Sequence, residues 1–85
     1  MVNLENNLIP LVDLPHGRSA EIARIYGGRG LLNRLNAMGI IHGREIEKVS
    51  NNIRGPQMCH VNGCCYGIGG GMASKIYVRY NDKTE

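Results

Sequence analysis

The apolar positions of this chain fall into short runs separated by glycine, proline and asparagine, and the period of the runs changes along the chain. LIPLVDLPHG (8–17) mixes apolar anchors with Pro10, Pro15 and Gly17. Proline lacks the N–H that a central strand must donate, so this segment predicts a short edge strand followed by a turn. SAEIARIY (19–26) is rich in β-branched and aromatic residues, which favours a strand. Its Ile22 and Ile25 are three apart, off the two-residue period, and a bulge would bring both to one core face. GGRG (27–30) breaks the pattern. In LLNRLNAM (31–38) the period lengthens: Leu31, Leu35 and Met38 stand at i, i+4 and i+7, with Leu32 beside them and Asn33, Arg34 and Asn36 on the other face. Gly39 follows where a left-handed residue would end the helix. A helix of about two turns does not persist alone, so its apolar stripe must pack on the core as a cap.

The second half returns to strand-like patterning. REIEKVS (44–50) predicts a strand in which Ile46 and Val49 are again three apart, with Glu45 and Glu47 on the face of Val49. NNIRGP (51–56) reads as a loop. QMCHV (57–61), Asn62-Gly63 and CCYGIG (64–69) form a hairpin signal, because both central positions of a type I′ turn need positive φ. GGMAS (70–74) is a turn or a single helical turn. KIYVRY (75–80) alternates, with Ile76, Val78 and Tyr80 on one side. Residues 1–7 and 81–85 are expected to be loose termini around a single domain spanning 8–80, with no linker and no internal repeat. About five short strands and one short capping α-helix predict an all-β fold, a small β-barrel.

Composition narrows the function classes. A chain of 85 residues makes one thin-cored domain, and no Trp or Phe helps to fill it. The formal charge of +3 is spread along the chain without a basic run or interleaved aromatics, so nucleic acid is not an expected partner. No stretch approaches the ~20 apolar residues of a membrane span, so direct membrane insertion is not expected. The segment MVNLENNLIPLVDLP lacks the basic start and small-residue cleavage site of a secretory signal. Three cysteines, an odd number, do not suit a disulfide framework, which points to free thiols in a reducing compartment.

CHVNGCC (59–65) carries the candidate chemistry: three cysteines and a histidine within seven residues. The Asn62-Gly63 turn sets Val61 opposite Cys64, His60 opposite Cys65 and Cys59 opposite Tyr66. Cys59, Val61, Cys64, Tyr66 and Ile68 then share the more apolar face and are expected inside, leaving His60 and Cys65 as an exposed pair. A structural zinc site needs four converging ligands, and this arrangement offers two per face. His60 and Cys65 are therefore weak metal candidates, no cofactor is required, and at most weak binding of Fe²⁺ or Zn²⁺ is expected. GIGGGMASK (67–75) is not a phosphate loop, since Ser74 precedes Lys75 and no glycine precedes the lysine. His16 and His42 lie in glycine-containing turns without partners of a catalytic kind, and no Ser–His–acid set or paired carboxylates suggest an enzyme.

Residues 27–49, GGRGLLNRLNAMGIIHGREIEKV, resemble the core signature of the FeoA family, the ferrous iron transport protein A. The matching positions are Gly28, Arg34, Leu35, Met38, Gly39, Ile40, Gly43, Ile46 and Val49. PLVDLPHGRSAEI is similar to the family's opening strand and turn. NGCCYGIGGGMASKIYV is similar to its closing half, through Gly63, Ile68, Ala73, Ile76 and Val78. The chain departs from the pattern at His42, where proline is common, and at Gly69–Gly71, where charged residues are common. The cysteine-rich hairpin is no part of that pattern. The resemblance implies an SH3-like barrel and a small cytoplasmic accessory protein of bacterial ferrous iron uptake. It would dock on the cytosolic part of the FeoB transporter, which carries a GTPase domain, and meet the membrane only through that partner. Two other readings are a direct transition-metal-ion binding module and an interaction domain like the SH3-like part of iron-dependent repressors.

Overall fold

The computed structural model describes residues 8–50 and 55–80; the expected loose termini and the first part of the 51–56 loop lie outside the described residues. Six strands form one antiparallel sheet: β1 (Leu8–Pro10), β2 (Ser19–Ile25), β3 (Glu45–Ser50), β4 (Gln57–Val61), β5 (Cys64–Ile68) and β6 (Ile76–Arg79). Their spatial order is β1-β6-β2-β3-β4-β5. The sheet has six strands where about five were expected; the edge strand predicted within 8–17 is Leu8–Pro10, which pairs with β6. Proline sits there at the edge, where its missing N–H costs no ladder bond.

Two bulges bend the sheet. Between Ile22 and Arg24 the register of β2 against β6 shifts, so Ile22 is buried while Ile25 still packs on the core. The spacing of three is thus absorbed by one unpaired residue, Ala23. Between Lys48 and Ser50 the register of β3 against β4 shifts in the same way, and here the extra residue is Val49, which is exposed. The residue turned inward beside Ile46 is Lys48, which is fully buried.

The inner face of the sheet closes on Leu11, Leu14, Ile22, Ile46, Val61, Ile68, Ile76 and Val78. A 3-10 turn at Leu11–Asp13 places Leu11, with Leu14 just after it, in that core. Helix α1 (Arg29–Ala37) covers another part: Leu35 is fully buried and Leu31 and Met38 are half-buried against the core. A Schellman motif ends it. The N–H of Ile40 donates to the Leu35 carbonyl and that of Gly39 to the Asn36 carbonyl, each at 2.9 Å. Gly39 takes φ +84°, the left-handed conformation the motif requires, and the accompanying apolar contact is Leu35 with Ile40, both buried. Gly70–Ala73 form one helical turn, α2, with Ala73 buried.

Candidate functional site

The hairpin has the register the turn dictates. Asn62 and Gly63 both take positive φ, and Val61, His60 and Cys59 face Cys64, Cys65 and Tyr66. Cys59 is fully buried between Lys48, its partner on β3, and Tyr66 on β5, and its thiol donates to the Gln57 carbonyl at 3.8 Å. Burial pushes that thiol up from an ordinary 9.0 to about 11, with the Lys48 charge pulling the other way. Cys64, in contrast, is exposed, against the expectation that it would be shielded. It shares the face of Cys59 but opens an edge strand next to the turn, beyond the reach of the core, where no further strand covers it. Face and depth are separate properties, and alternation reports only the first. The Cys64 side chain on the same face, with burial adding to the effect, raises the Tyr66 phenol above its ordinary value.

On the outer face, His60 and Cys65 are both exposed. The ladder registers align them in a longer row: Ser19 faces Glu47, Glu47 faces His60, and His60 faces Cys65. Nδ1 of His60 lies 3.8 Å from the Glu47 carboxylate. Beside this row is an open hollow of about 300 Å³ lined by Ser19, Glu45, Glu47, His60, Asn62 and Gly63. No group of three or more His, Cys, Asp and Glu side chains is gathered to hold a metal ion among the described residues.

Lys48 escaped the sequence reading altogether. Its ammonium donates to Oε1 of Gln57 at 2.6 Å and more weakly to the Val12 carbonyl at 3.5 Å. Burial lowers its pKa, partly offset by Cys59 and Asp13. The contact ties β3 to the 3-10 turn and satisfies the buried amine, so Lys48 is a structural clasp. Position 48 is two residues from Ile46, and strict alternation counted from Ile46 would have pointed inward at it.

A second feature was also missed. Along α1 runs an open groove of about 360 Å³, lined by Ala23, Arg24, Ile25, Leu32, Asn36, Ile40, Ile41 and His42. Its lining is mainly apolar. Leu32, off the buried Leu31–Leu35–Met38 stripe, is 38% exposed on the groove wall. The available signal was the pair Leu31-Leu32, since a helix stripe that buries one of two adjacent leucines leaves the other outside. Arg24 and His42 are exposed at this groove and add polar groups to it. His16 is exposed in its turn.

Comparison with known proteins agrees with this architecture. The FeoA domain model matches residues 9–80. A putative Fe(2+) transport protein A of Methanocaldococcus jannaschii is 35% identical over 71 residues, covering 84% of this chain and 85% of the relative. A crystal structure of an iron uptake regulatory protein, FeoA, superposes with a TM-score of 0.81 at 29% identity, covering 85% of this chain and 96% of the other. FeoA of Stenotrophomonas maltophilia, an SH3 domain protein solved in complex with zinc, shares the fold with a TM-score of 0.71 at 20% identity, over 82% and 88% of the two chains. The sheet described above is therefore an SH3-like one, and the chain belongs to the FeoA family of ferrous iron transport proteins.

Proposed function

We propose that this chain serves ferrous iron uptake by docking on the cytosolic part of the FeoB transporter, with the groove along α1 as the contact surface. Membership of a family of ferrous iron transport accessories supports the pathway. The observation that carries the contact surface is the groove itself: a mainly apolar channel with Leu32 on its wall, which with Tyr26 and Val49 is one of three exposed large apolar side chains among the described residues. Apolar surface withdrawn from water contributes roughly 25 cal/mol per Å², so one partner side chain seated against Leu32, Ile41 and Ile25 would supply an anchor. Arg24 and His42 would give orientation by polar contacts around it. The mechanism is binding rather than catalysis. The protein would work at the membrane surface through its partner and hold no cofactor for this role.

Titrating the isotopically labelled chain with the cytosolic domain of the transporter tests this by NMR. Shift changes should cluster on Leu32, Asn36, Ile41 and His42. Changes confined to the β4–β5 hairpin, or none, would reject the groove as the contact.

A further inference from the structure

The groove along α1 continues onto the outer face of β2 through Arg24, which lines it. Strict alternation from the buried Ile22 would turn Arg24 and Tyr26 inward. The bulge at Ala23 resets the phase, so Arg24 faces Tyr77 on β6 and Ile25 faces the buried Ile76. Tyr26 comes next, and its N–H donates to the Lys75 carbonyl at 2.9 Å. Tyr26 and Tyr77 meet on the diagonal, edge to face, with ring centroids 5.3 Å apart. Two tyrosines and two cations therefore share one patch. Tyr26 is 52% exposed, and Arg24 and Lys75 are both exposed.

Charge on this side of the molecule has one sign. The stretch 22–44, which supplies the end of β2 and all of α1, holds Arg24, Arg29, Arg34 and Arg44 and no Asp or Glu. The acids of the outer face lie further along the sheet, where Glu21 faces Glu45 and pairs with Arg79 at 3.2 Å. Neither Arg24 nor Lys75 has a carboxylate partner among the described residues. Unpaired cations beside an exposed tyrosine suit an anionic partner that also brings apolar atoms. A nucleic-acid strand or a lipid leaflet, broader than the patch, would run on to Glu21, Glu45 and Glu47. Attachment to anionic lipid also takes clusters of about four to eight cations, and the patch itself holds Arg24 and Lys75. A short segment of protein fits it better.

We propose that the Arg24–Tyr26–Tyr77–Lys75 patch is a second contact for the protein that docks in the α1 groove, and that it receives an acidic segment of that partner. The inference rests on the groove reading and extends it: the partner's carboxylates pair with Arg24 and Lys75 while its apolar atoms rest on Tyr26. Arg24, common to groove and patch, makes the two contacts continuous.

Calorimetric titration with the cytosolic domain of FeoB tests the patch through Lys75, which does not line the groove. Lys75→Glu should weaken binding by about fivefold or more in dilute salt, and Lys75→Arg should keep it. The loss should shrink in about 1 M NaCl, where the screening length falls to about 3 Å. Arg18→Glu makes the same change in net charge on the exposed turn before β2 and should bind as wild type. Circular dichroism of each variant establishes that the fold is kept. Full affinity in Lys75→Glu, alongside a loss in Leu32→Asp, would overturn the patch and leave the groove standing. An equal loss in Arg18→Glu would overturn the patch by reducing the effect to net charge. Absence of binding by the wild type would overturn both contacts. Binding of phosphatidylglycerol vesicles or an oligothymidylate that Lys75→Glu abolishes would overturn the assignment to a protein segment.

Discussion

At the scale of single residues, the three cysteines differ by burial and not by sequence context. Cys59 is enclosed and its thiol is pushed up to about 11, whereas Cys64 and Cys65 are exposed. An alkylating reagent attacks the accessible thiolate. Two thiols per chain should label quickly and one slowly, and mass mapping should place the slow one at Cys59; fast labelling of all three would refute the burial. Lys48 and Cys59 also give stability a defined pH dependence, and their signs oppose. Lys48 is lowered from 10.5 in the folded state, so as pH rises towards 10.5 the unfolded chain holds the extra proton and stability gains. Cys59 is raised from 9.0 to about 11, so over that window the unfolded chain loses its proton first and stability falls. Urea unfolding across this range should show the Cys59→Ala variant losing the falling contribution and Lys48→Met losing the rising one. Curves parallel to wild type would contradict the assigned shifts.

At the scale of elements, each piece is held by a few local decisions. Helix α1 ends where it does because Gly39 can take φ +84° at low cost. A β-branched side chain there is strongly disfavoured, and a left-handed conformation costs an L-residue about 1–2 kcal/mol or more. Gly39→Val should lower unfolding free energy by at least that amount in denaturant titration, and an unchanged midpoint would remove the cap. This cap was legible in the sequence, as were the hairpin register and the β2 bulge, because each rests on a rule about nearest neighbours: glycine at positive φ, Asn-Gly in a type I′ turn, two isoleucines out of phase. What was not legible depends on distance in space. Lys48 reads as a solvated lysine until Gln57 and the Val12 carbonyl are seen to receive its ammonium. Cys64 lies on the apolar face, yet depth depends on which strand lies beside it, and β5 is an edge. The groove needed α1 and β2 to be placed together before Leu32 and Ile41 could line one channel.

At the scale of the whole molecule, the core is closed by apolar side chains from all six strands' neighbourhood, the 3-10 turn and α1, with no metal cage gathered among the described residues. Stability should therefore be independent of metal. A chelator should leave the melting temperature unchanged, whereas small domains built around a structural ion unfold without it. A closed core also leaves function to the surface, and the two surface features lie on different elements: the groove on α1 and β2, the His60–Cys65 row on the hairpin. The two can be separated by mutation. Leu32→Asp places a carboxylate in the groove near the start of α1, where the helix dipole tolerates it, so its cost to folding should be small, on the order of 0.5 kcal/mol. The most direct test is the affinity of the full chain for the cytosolic domain of FeoB, measured calorimetrically for wild type, Leu32→Asp and the His60→Ala/Cys65→Ser double variant. Saturable binding is predicted for wild type and the double variant, with a loss of at least tenfold in Leu32→Asp, equivalent to about 1.4 kcal/mol. Absence of binding by the wild type, or binding that Leu32→Asp leaves intact, would contradict docking through the groove.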